Sequence, residues 1–182
     1  MSASRSHLHV VHPVAGDCVG TAVTFEALFR RYERYVAAVI VRLLGRDDCE
    51  VDDAVQDVFW LASRRMHRLQ DLDRARGWLV TAATRVVRRK LRRRRWRALF
   101  RVQQPVAEVP APGATPEQRA LIARIYRVLD QLPTAQRLAW TLRYLEGERL
   151  EDVARACGCS LATAKRRIEA AHRVVQEVVR DA

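Results

Sequence analysis

A proline-rich segment near the middle of the chain sets the strongest limit on how these 182 residues can fold. Pro105, Pro110, Pro112 and Pro116 fall close together, with Gly113 among them. Proline fixes φ and lacks a backbone N–H, so such a stretch cannot continue a helix or occupy the centre of a sheet. We therefore predict a linker over residues 101–116 between two folded units, residues 24–100 and 117–182. Residues 1–23 are predicted to be a flexible leader.

Apolar residues in the first unit repeat at helical spacing. One stripe begins at Phe25 and stops before Gly45, a second runs over 51–69, and a third follows Asp73. A polar stretch over residues 70–76 separates the second stripe from the third, and we expect it to form a loop. No segment alternates convincingly in the way a strand does. The prediction is an all-α chain in which the first domain is a small three-helix unit.

The second unit begins with Thr115-Pro116-Glu117-Gln118, a capping-box pattern with proline at the first helical position. Residues 150–168 then follow the pattern of a helix-turn-helix: Gly158 suits the tight turn and Ser160 suits the N-cap of the second helix. That helix leaves a basic outer face, which can enter a DNA major groove. The alternative is a plain helical hairpin with a solvated basic face. The outer face carries Thr163, Lys165, Arg166, Arg167 and Glu169.

Charge points to a polyanionic partner. The net charge is +12 and the isoelectric point is about 10.8. Only Lys90 and Lys165 are lysines, so codon usage that favours arginine is a competing explanation. Residues 85–101 hold ten cations and no acid. Binding to nucleic acid would relieve the repulsion among them, although an unbound solvated run is the alternative.

The predicted second helix starts with the opposite sign of charge. An acidic patch forms at its start, and three apolar residues add to the same surface. The acids are Asp47, Asp48, Glu50, Asp52, Asp53 and Asp57, and the apolar residues are Phe59, Trp60 and Met66. Anions are favoured at a helix N-terminus, and no histidine or nucleophile accompanies these, so a docking surface for a partner is a better interpretation than a catalytic site.

Nothing in the chain indicates a membrane, a cofactor or a metal. No apolar run approaches the roughly 20 residues of a membrane span, and no secretion signal is present, so we expect a cytoplasmic protein with reduced cysteines. The leader contains His7, His9, His12 and Cys18, whose spacing matches no metal-ligand pattern.

Several motifs occur in a characteristic order. Val51 to Phe59 is followed by Gly77-Trp78-Leu79, then by Leu132-Pro133, Arg137, Leu142 to Gly147 and Thr163 to Arg167. In this ordered series the chain resembles the extracytoplasmic-function (ECF) subfamily of sigma-70-type RNA polymerase sigma factors. The resemblance spans about residues 24–180. It implies a region-two domain that docks on the clamp helices of core polymerase and opens the minus-ten element, and a region-four domain that reads the minus-thirty-five element.

The resemblance assigns a role to individual residues. Contacts with core polymerase fall to Asp52, Asp53, Gln56, Asp57 and Phe59. Contacts with the minus-ten element fall to Arg74, Arg76, Trp78, Thr81, Thr84, Arg85, Arg88 and Arg92, in part through the 70–76 loop. Contacts with the minus-thirty-five element fall to Ser160, Thr163, Lys165, Arg166 and Arg167.

Three positions depart from the family pattern. Arg85 stands where Asn is usual, Arg89 where Asp is usual, and Ala170 where Arg is usual. The leading hypothesis is a non-enzymatic sigma factor that directs core polymerase to specific promoters, initiates transcription, and is controlled by an anti-sigma factor. The alternatives are a sigma-like decoy that binds an anti-sigma factor but no promoter, and an ordinary helix-turn-helix repressor.

Overall fold

The computed structural model describes residues 24–45, 49–68, 72–98 and 113–180. These residues form helices joined by turns and no strand, which confirms the all-α prediction. The predicted leader, the proline-rich segment as far as residue 112, and Asp47 and Asp48 lie outside the described residues. The helices are α1 (Phe25–Leu44), α2 (Cys49–Ser63), α3 (Leu72–Ala98), α4 (Pro116–Gln131), α5 (Thr134–Tyr144), α6 (Leu150–Cys157) and α7 (Leu161–Arg180), with a 3₁₀ turn at Met66–Arg68.

Helix ends follow the capping residues in the sequence. The Thr115 hydroxyl accepts from the Gln118 N–H while the Gln118 side chain accepts from the Thr115 N–H, so the predicted capping box forms at α4. Helix α6 ends at Gly158, whose φ of 63° lies in the left-handed region. The Gly158 N–H bonds back to the Arg155 carbonyl, which closes the helix before the turn into α7.

Helix α3 starts at Leu72, one residue before the Asp73 at which the third helical stripe was predicted to begin. The expected loop over residues 70–76 is helical from Leu72 onward, so Arg76 lies in the first turns of a 27-residue helix. Two contacts hold this start in place. Ala75 is fully buried, and the Tyr32 hydroxyl of α1 donates to the Leu72 carbonyl at 2.8 Å. Packing therefore overrides the polar character of the segment.

The helices form two groups that share one core. Helices α1, α2 and α3 pack on one another and form the first group. Helices α5, α6 and α7 also pack on one another and, with α4 against α5 and α7, form the second group. Helix α3 also contacts α5 and α6. Buried residues of α3 and α6 consequently belong to the same apolar cluster, while a smaller cluster around Tyr126 and Trp140 lies between α4, α5 and α7. The two groups approach closely at Gly45, where an added Cβ would lie 2.7 Å from the Tyr126 ring.

Candidate nucleic-acid and protein interfaces

The start of α7 has a capped N-terminus and a buried inner face. The Ser160 hydroxyl accepts from the Thr163 N–H at 3.3 Å and donates to the Thr163 hydroxyl at 2.9 Å, which caps the helix as predicted. On the inner side Ala164, Ile168 and Ala171 are buried. The first turn of α7 therefore has a fixed orientation on its helix-turn-helix support.

The outer side of α7 leaves its cations accessible. Lys165 and Arg166 are exposed, and Thr163 and Arg167 are half-buried. The one ion pair that these cations make among the described residues is a long one, from Lys165 Nζ to Glu169 Oε1 at 3.9 Å. An exposed pair of this length contributes little, so Lys165 is free to leave it for a phosphate.

Helix α3 carries a second cationic surface, which we call the arginine groove. It is a groove of about 550 Å³ lined by Arg85, Arg88, Arg89, Arg92, Arg93 and Trp96. Trp96, in the last turn of α3, is 67% exposed. Arg93 and Trp96 were not among the predicted site residues, although helical spacing from Arg85 places both on its face. The groove joins arginine forks, which suit phosphates, to an aromatic face on which a base could stack.

Several residues predicted to meet the minus-ten element are not on the surface. Thr84 is fully buried, and its hydroxyl donates to the Val80 carbonyl at 2.7 Å. Thr81 and Trp78 are half-buried, and the Thr81 hydroxyl donates to the Gly77 carbonyl. The residues predicted to meet the minus-ten element from Thr81 through Thr84 to Arg88 therefore do not form an open surface in this arrangement. The side chain of Arg74 lies outside the described residues.

Two further minus-ten candidates are held by the second group of helices. Arg76 Nη2 lies 3.0 Å from Glu148 Oε1, and its guanidinium stands 5.1 Å from the centre of the Tyr35 ring. Arg88 Nη1 donates to the Cys157 carbonyl at the end of α6, at 3.0 Å. By contrast, Arg85 and Arg92 are exposed and form no ion pair within the described part of the chain.

The acidic side of α2 is partly used inside the protein. Asp57 pairs with Arg89 at 2.7 Å, Asp53 lies 3.7 Å from Lys90, and Glu50 pairs with Arg94 at 2.5 Å. Arg89, one of the departures from the family pattern, therefore has a structural partner on α2. Asp52 and Gln56 are exposed, and Asp53 is exposed beyond its long pair, so these three remain the accessible part of the predicted docking surface.

Phe59 was predicted on that docking surface, and the structure places it in the core instead. It is 3% exposed, and its ring packs against Phe29 at 4.7 Å and edge-on to Phe25 at 6.3 Å. The exposed aromatic residue of α2 is its neighbour Trp60, which is 57% exposed and lies under the Arg64 guanidinium. A 3.6-residue period anchored on Val51 and Val58 places Phe59 beside the buried stripe, which is the signal that could have excluded it.

No helix in the described ranges combines the length and apolar character that a bilayer crossing requires. The same ranges contain no group of three or more histidine, cysteine, aspartate or glutamate side chains placed to hold a metal ion.

The two cationic surfaces lie in segments that match two models of one protein family. The model for sigma-70 region 2 matches residues 28–97, and the model for sigma-70, region 4 matches residues 122–172. The chain belongs to the sigma-70 family. The two matches cover about two thirds of the chain, one on each side of the proline-rich segment.

Relatives that match most of its length place the chain in the ECF group of that family. It is 25% identical to the RNA polymerase sigma-H factor of Pseudomonas aeruginosa, over 90% of this chain and 92% of the relative. It is 26% identical to the ECF RNA polymerase sigma-E factor of Haemophilus influenzae, over 88% of this chain and 89% of the relative.

Solved structures share the fold. The sigma factor RpoE of Bartonella quintana, in complex with the anti-sigma factor NepR, superposes with a TM-score of 0.66 at 23% identity, covering 86% of this chain and 96% of that one. CnrH in complex with the cytosolic domain of CnrY gives a TM-score of 0.58 at 24% identity, covering 86% and 88%.

Proposed function

We propose that this ECF-type sigma factor binds core RNA polymerase, directs it to specific promoters and initiates transcription. One observation carries the proposal: a single chain presents two separate cationic surfaces, each within a segment that matches a different sigma-70 region. A simple helix-turn-helix repressor needs only the second surface. It would leave α1 to α3 and the arginine groove without a role.

Each surface suits one part of promoter recognition. Helix α7 would enter the minus-thirty-five major groove, where Arg166 and Arg167 would meet base edges and Lys165 a phosphate. The arginine groove would take the minus-ten strands, with Arg85 and Arg92 on phosphates and Trp96 against a base. The chain would supply recognition alone and leave catalysis to the polymerase, and we place it in the cytoplasm.

Run-off transcription tests the proposal. Purified core polymerase is combined with the full-length chain on fragments of the source genome, and transcripts are mapped. We expect defined start sites that core polymerase alone does not produce. A matched reaction with Arg85→Gln/Arg92→Gln protein, which loses two exposed groove cations, should give the same start sites in lower yield. Transcripts that are identical with and without the chain would contradict the proposal.

Docking on core polymerase is assigned to the accessible acids of α2. Asp52 is the best residue for testing this, because it is exposed and makes no ion pair within the described residues. We expect Asp52→Arg to weaken co-purification with core polymerase, while Asp17→Arg in the leader, with the same change of charge, should not. Equal recovery of both variants with core polymerase would remove α2 as the docking helix.

We also propose an anti-sigma factor as a partner. The support is that one solved neighbour is a sigma factor in complex with an anti-sigma factor, and that the other, CnrH, is in complex with the cytosolic domain of CnrY. Pull-down of the tagged chain from its own host, with Asp52→Arg protein alongside, would show whether such a partner shares the α2 surface with core polymerase.

A further inference from the structure

Helix α7 carries an acid in the middle of its outer side. Between Leu161 and Gln176 the sequence of the helix contains one acid, Glu169. The buried face of α7 consists of Ala164, Ile168, Ala171 and Val175, and the exposed residues on the opposite side are Ala162, Arg166, Glu169 and Arg173. Glu169 therefore lies on the side of the helix that would enter a major groove.

The fold makes little use of the Glu169 carboxylate. Its side chain is 61% exposed, and its one ion pair among the described residues is the 3.9 Å contact with Lys165. An exposed pair of that length contributes little to stability. Three exposed cations lie about one helical turn before or after it, at Lys165, Arg166 and Arg173. The carboxylate is consequently a negative charge placed within a basic surface, with its oxygens accessible to a ligand.

A carboxylate discriminates among bases by the groups that it cannot bind. An ionised carboxylate is an acceptor only, so on base edges in the major groove it can bind the N4 amino group of cytosine or the N6 amino group of adenine. Guanine O6 and N7 and thymine O4 are acceptors and would repel it. Adenine presents the acceptor N7 beside its amino group, whereas cytosine presents the amino group alone. Cytosine is therefore the base that suits a carboxylate best.

The position of Glu169 relative to Arg166 limits where that cytosine would lie. The two residues are three positions apart, which is about 4.5 Å along the helix axis. Successive base pairs are about 3.4 Å apart. Side chains at this spacing would meet base pairs one or two steps apart, and an arginine fork suits guanine in the same groove.

We propose that Glu169 is a specificity-determining residue of the minus-thirty-five contact, which requires a cytosine one or two base pairs from the guanine that Arg166 binds. The inference deepens the proposed function and rests on it. Glu169 acts largely by exclusion, because its charge is repelled by phosphates and by the acceptor edges of guanine and thymine. It differs in this from the cations around it, which attract every sequence.

Selection from a DNA pool randomised over the minus-thirty-five element tests the proposal. The full-length chain is used with core polymerase, as the parent, as Glu169→Gln, and as the control Glu177→Gln, which removes the same charge from an exposed position eight residues later in α7. Glutamine keeps the shape of the side chain and pairs with adenine N6 and N7. We expect a cytosine in the consensus of the parent and of the control, and an adenine at that position with Glu169→Gln.

Affinity for two duplexes separates base reading from a structural role. One duplex carries the selected site, and the other has guanine in place of the cytosine. By fluorescence anisotropy, the parent holoenzyme should prefer the first at least about fivefold, the low end of discrimination by a good base contact. Glu169→Gln should lose this preference by binding the guanine duplex more tightly, because the variant no longer repels guanine. Weaker binding of both duplexes would overturn the proposal and make the carboxylate a support for its neighbours.

The selection also distinguishes failure of this inference from failure of the proposed function. If the parent and Glu169→Gln select the same consensus, Glu169 reads no base, while promoter recognition by α7 stands. If the parent enriches no sequence at all, the proposed function is wrong, and this inference is wrong with it.

Discussion

The two basic helices, α3 and α7, use their cations differently. On α7 Lys165 and Arg166 face solvent and Arg167 is half-buried, and their one ion pair among the described residues is the long one at Lys165. On α3 the cations are divided among three tasks. Arg89, Lys90 and Arg94 bind acids of α2, and Arg76, Arg88 and Arg95 bind the second helix group. Arg85, Arg92 and Arg93 remain in the arginine groove without an ion pair among the described residues.

This difference shows that a run of like charge is not automatically a free electrostatic surface. The acid-free sequence from Arg85 to Arg101 suggests one uniform phosphate-binding segment. The fold instead supplies acids from α2, more than 30 residues earlier, to roughly one side of the helix. Helical periodicity then decides which arginines stabilise the protein and which can bind a ligand.

The largest expected effect separates structural from free cations on α3. Arg94 is 19% exposed and pairs with Glu50, which is 28% exposed, whereas Arg92 faces solvent. We expect Arg94→Met to lower the free energy of unfolding by about 1.5–3 kcal/mol, as for hydrogen bonds to charged groups. Arg92→Met should change it by less than about 0.5 kcal/mol. Urea unfolding of both variants measures the difference, and equal losses would show that Arg94 is no more structural than Arg92.

The next effect concerns base reading by α7. Loss of an arginine bidentate to guanine should cost about 1–3 kcal/mol of discrimination, so Arg166→Ala should relax the sequence preference at one or two minus-thirty-five positions. Lys165→Ala should instead weaken binding to all sequences similarly. Selection from a randomised minus-thirty-five pool with holoenzyme checks both. A consensus unchanged by Arg166→Ala would remove that residue from base reading.

Sequence reasoning succeeded where the signal is local. The Thr115–Gln118 capping box, the Gly158 turn and the Ser160 cap each depend on residues a few positions apart, and all three form. It failed where a contact joins distant segments. Phe59 is buried because Phe25 and Phe29 of α1 reach it, and periodicity within α2 shows only that it borders the buried stripe.

The ion pairs of Glu146 with Arg42 and of Glu148 with Arg76 could not be predicted from the sequence for the same reason. Glu146 and Glu148 flank a glycine in a polar turn, which is the usual composition of a solvated loop. Their burial depends on Arg42 and Arg76, and the first of these lies 104 residues away in the sequence. Nothing local indicates that the turn packs against α1 and α3. The predicted minus-ten surface therefore looked open in the sequence and is partly covered in the structure.

A pH prediction tests the joint between the two regions. Burial raises the pKa of Tyr126 to about 12, and its hydroxyl donates to the Arg42 carbonyl at the end of α1. A raised pKa means that the neutral phenol stabilises the fold below pH 10, and that this contribution is lost as the pH rises towards 12. We expect a loss of about 1.4 kcal/mol by pH 11, one pKa unit above the unfolded value. Urea titrations at pH 9 and 11 should show it in the parent and not in Tyr126→Phe, and equal losses in both proteins would assign the change to other groups.

The smallest expected effect is a difference in the salt dependence of DNA binding between two double variants of α3. Arg85→Gln/Arg92→Gln and Arg89→Gln/Lys90→Gln each remove two positive charges from α3, so they change the net charge equally. Arg85 and Arg92 make no ion pair with any residue that the structure describes, while Arg89 and Lys90 lie against Asp57 and Asp53. Each phosphate contact contributes about 0.7 to the log–log salt slope on single-stranded DNA. We therefore expect the first variant to lower that slope by about 1.4, for two contacts.

The second variant should change the slope much less, because its two cations already have protein counter-charges and release few ions on binding. The pair between Arg89 and Asp57 is 55% and 44% exposed, so its loss should leave the protein folded. The slope is measured by anisotropy titrations with single-stranded DNA at salt concentrations from about 50 to about 400 mM, because the logarithm of the affinity falls linearly with the logarithm of the salt concentration. Equal slopes for the two variants would mean that the number of cations on α3, and not their arrangement by the fold, sets its attraction for DNA.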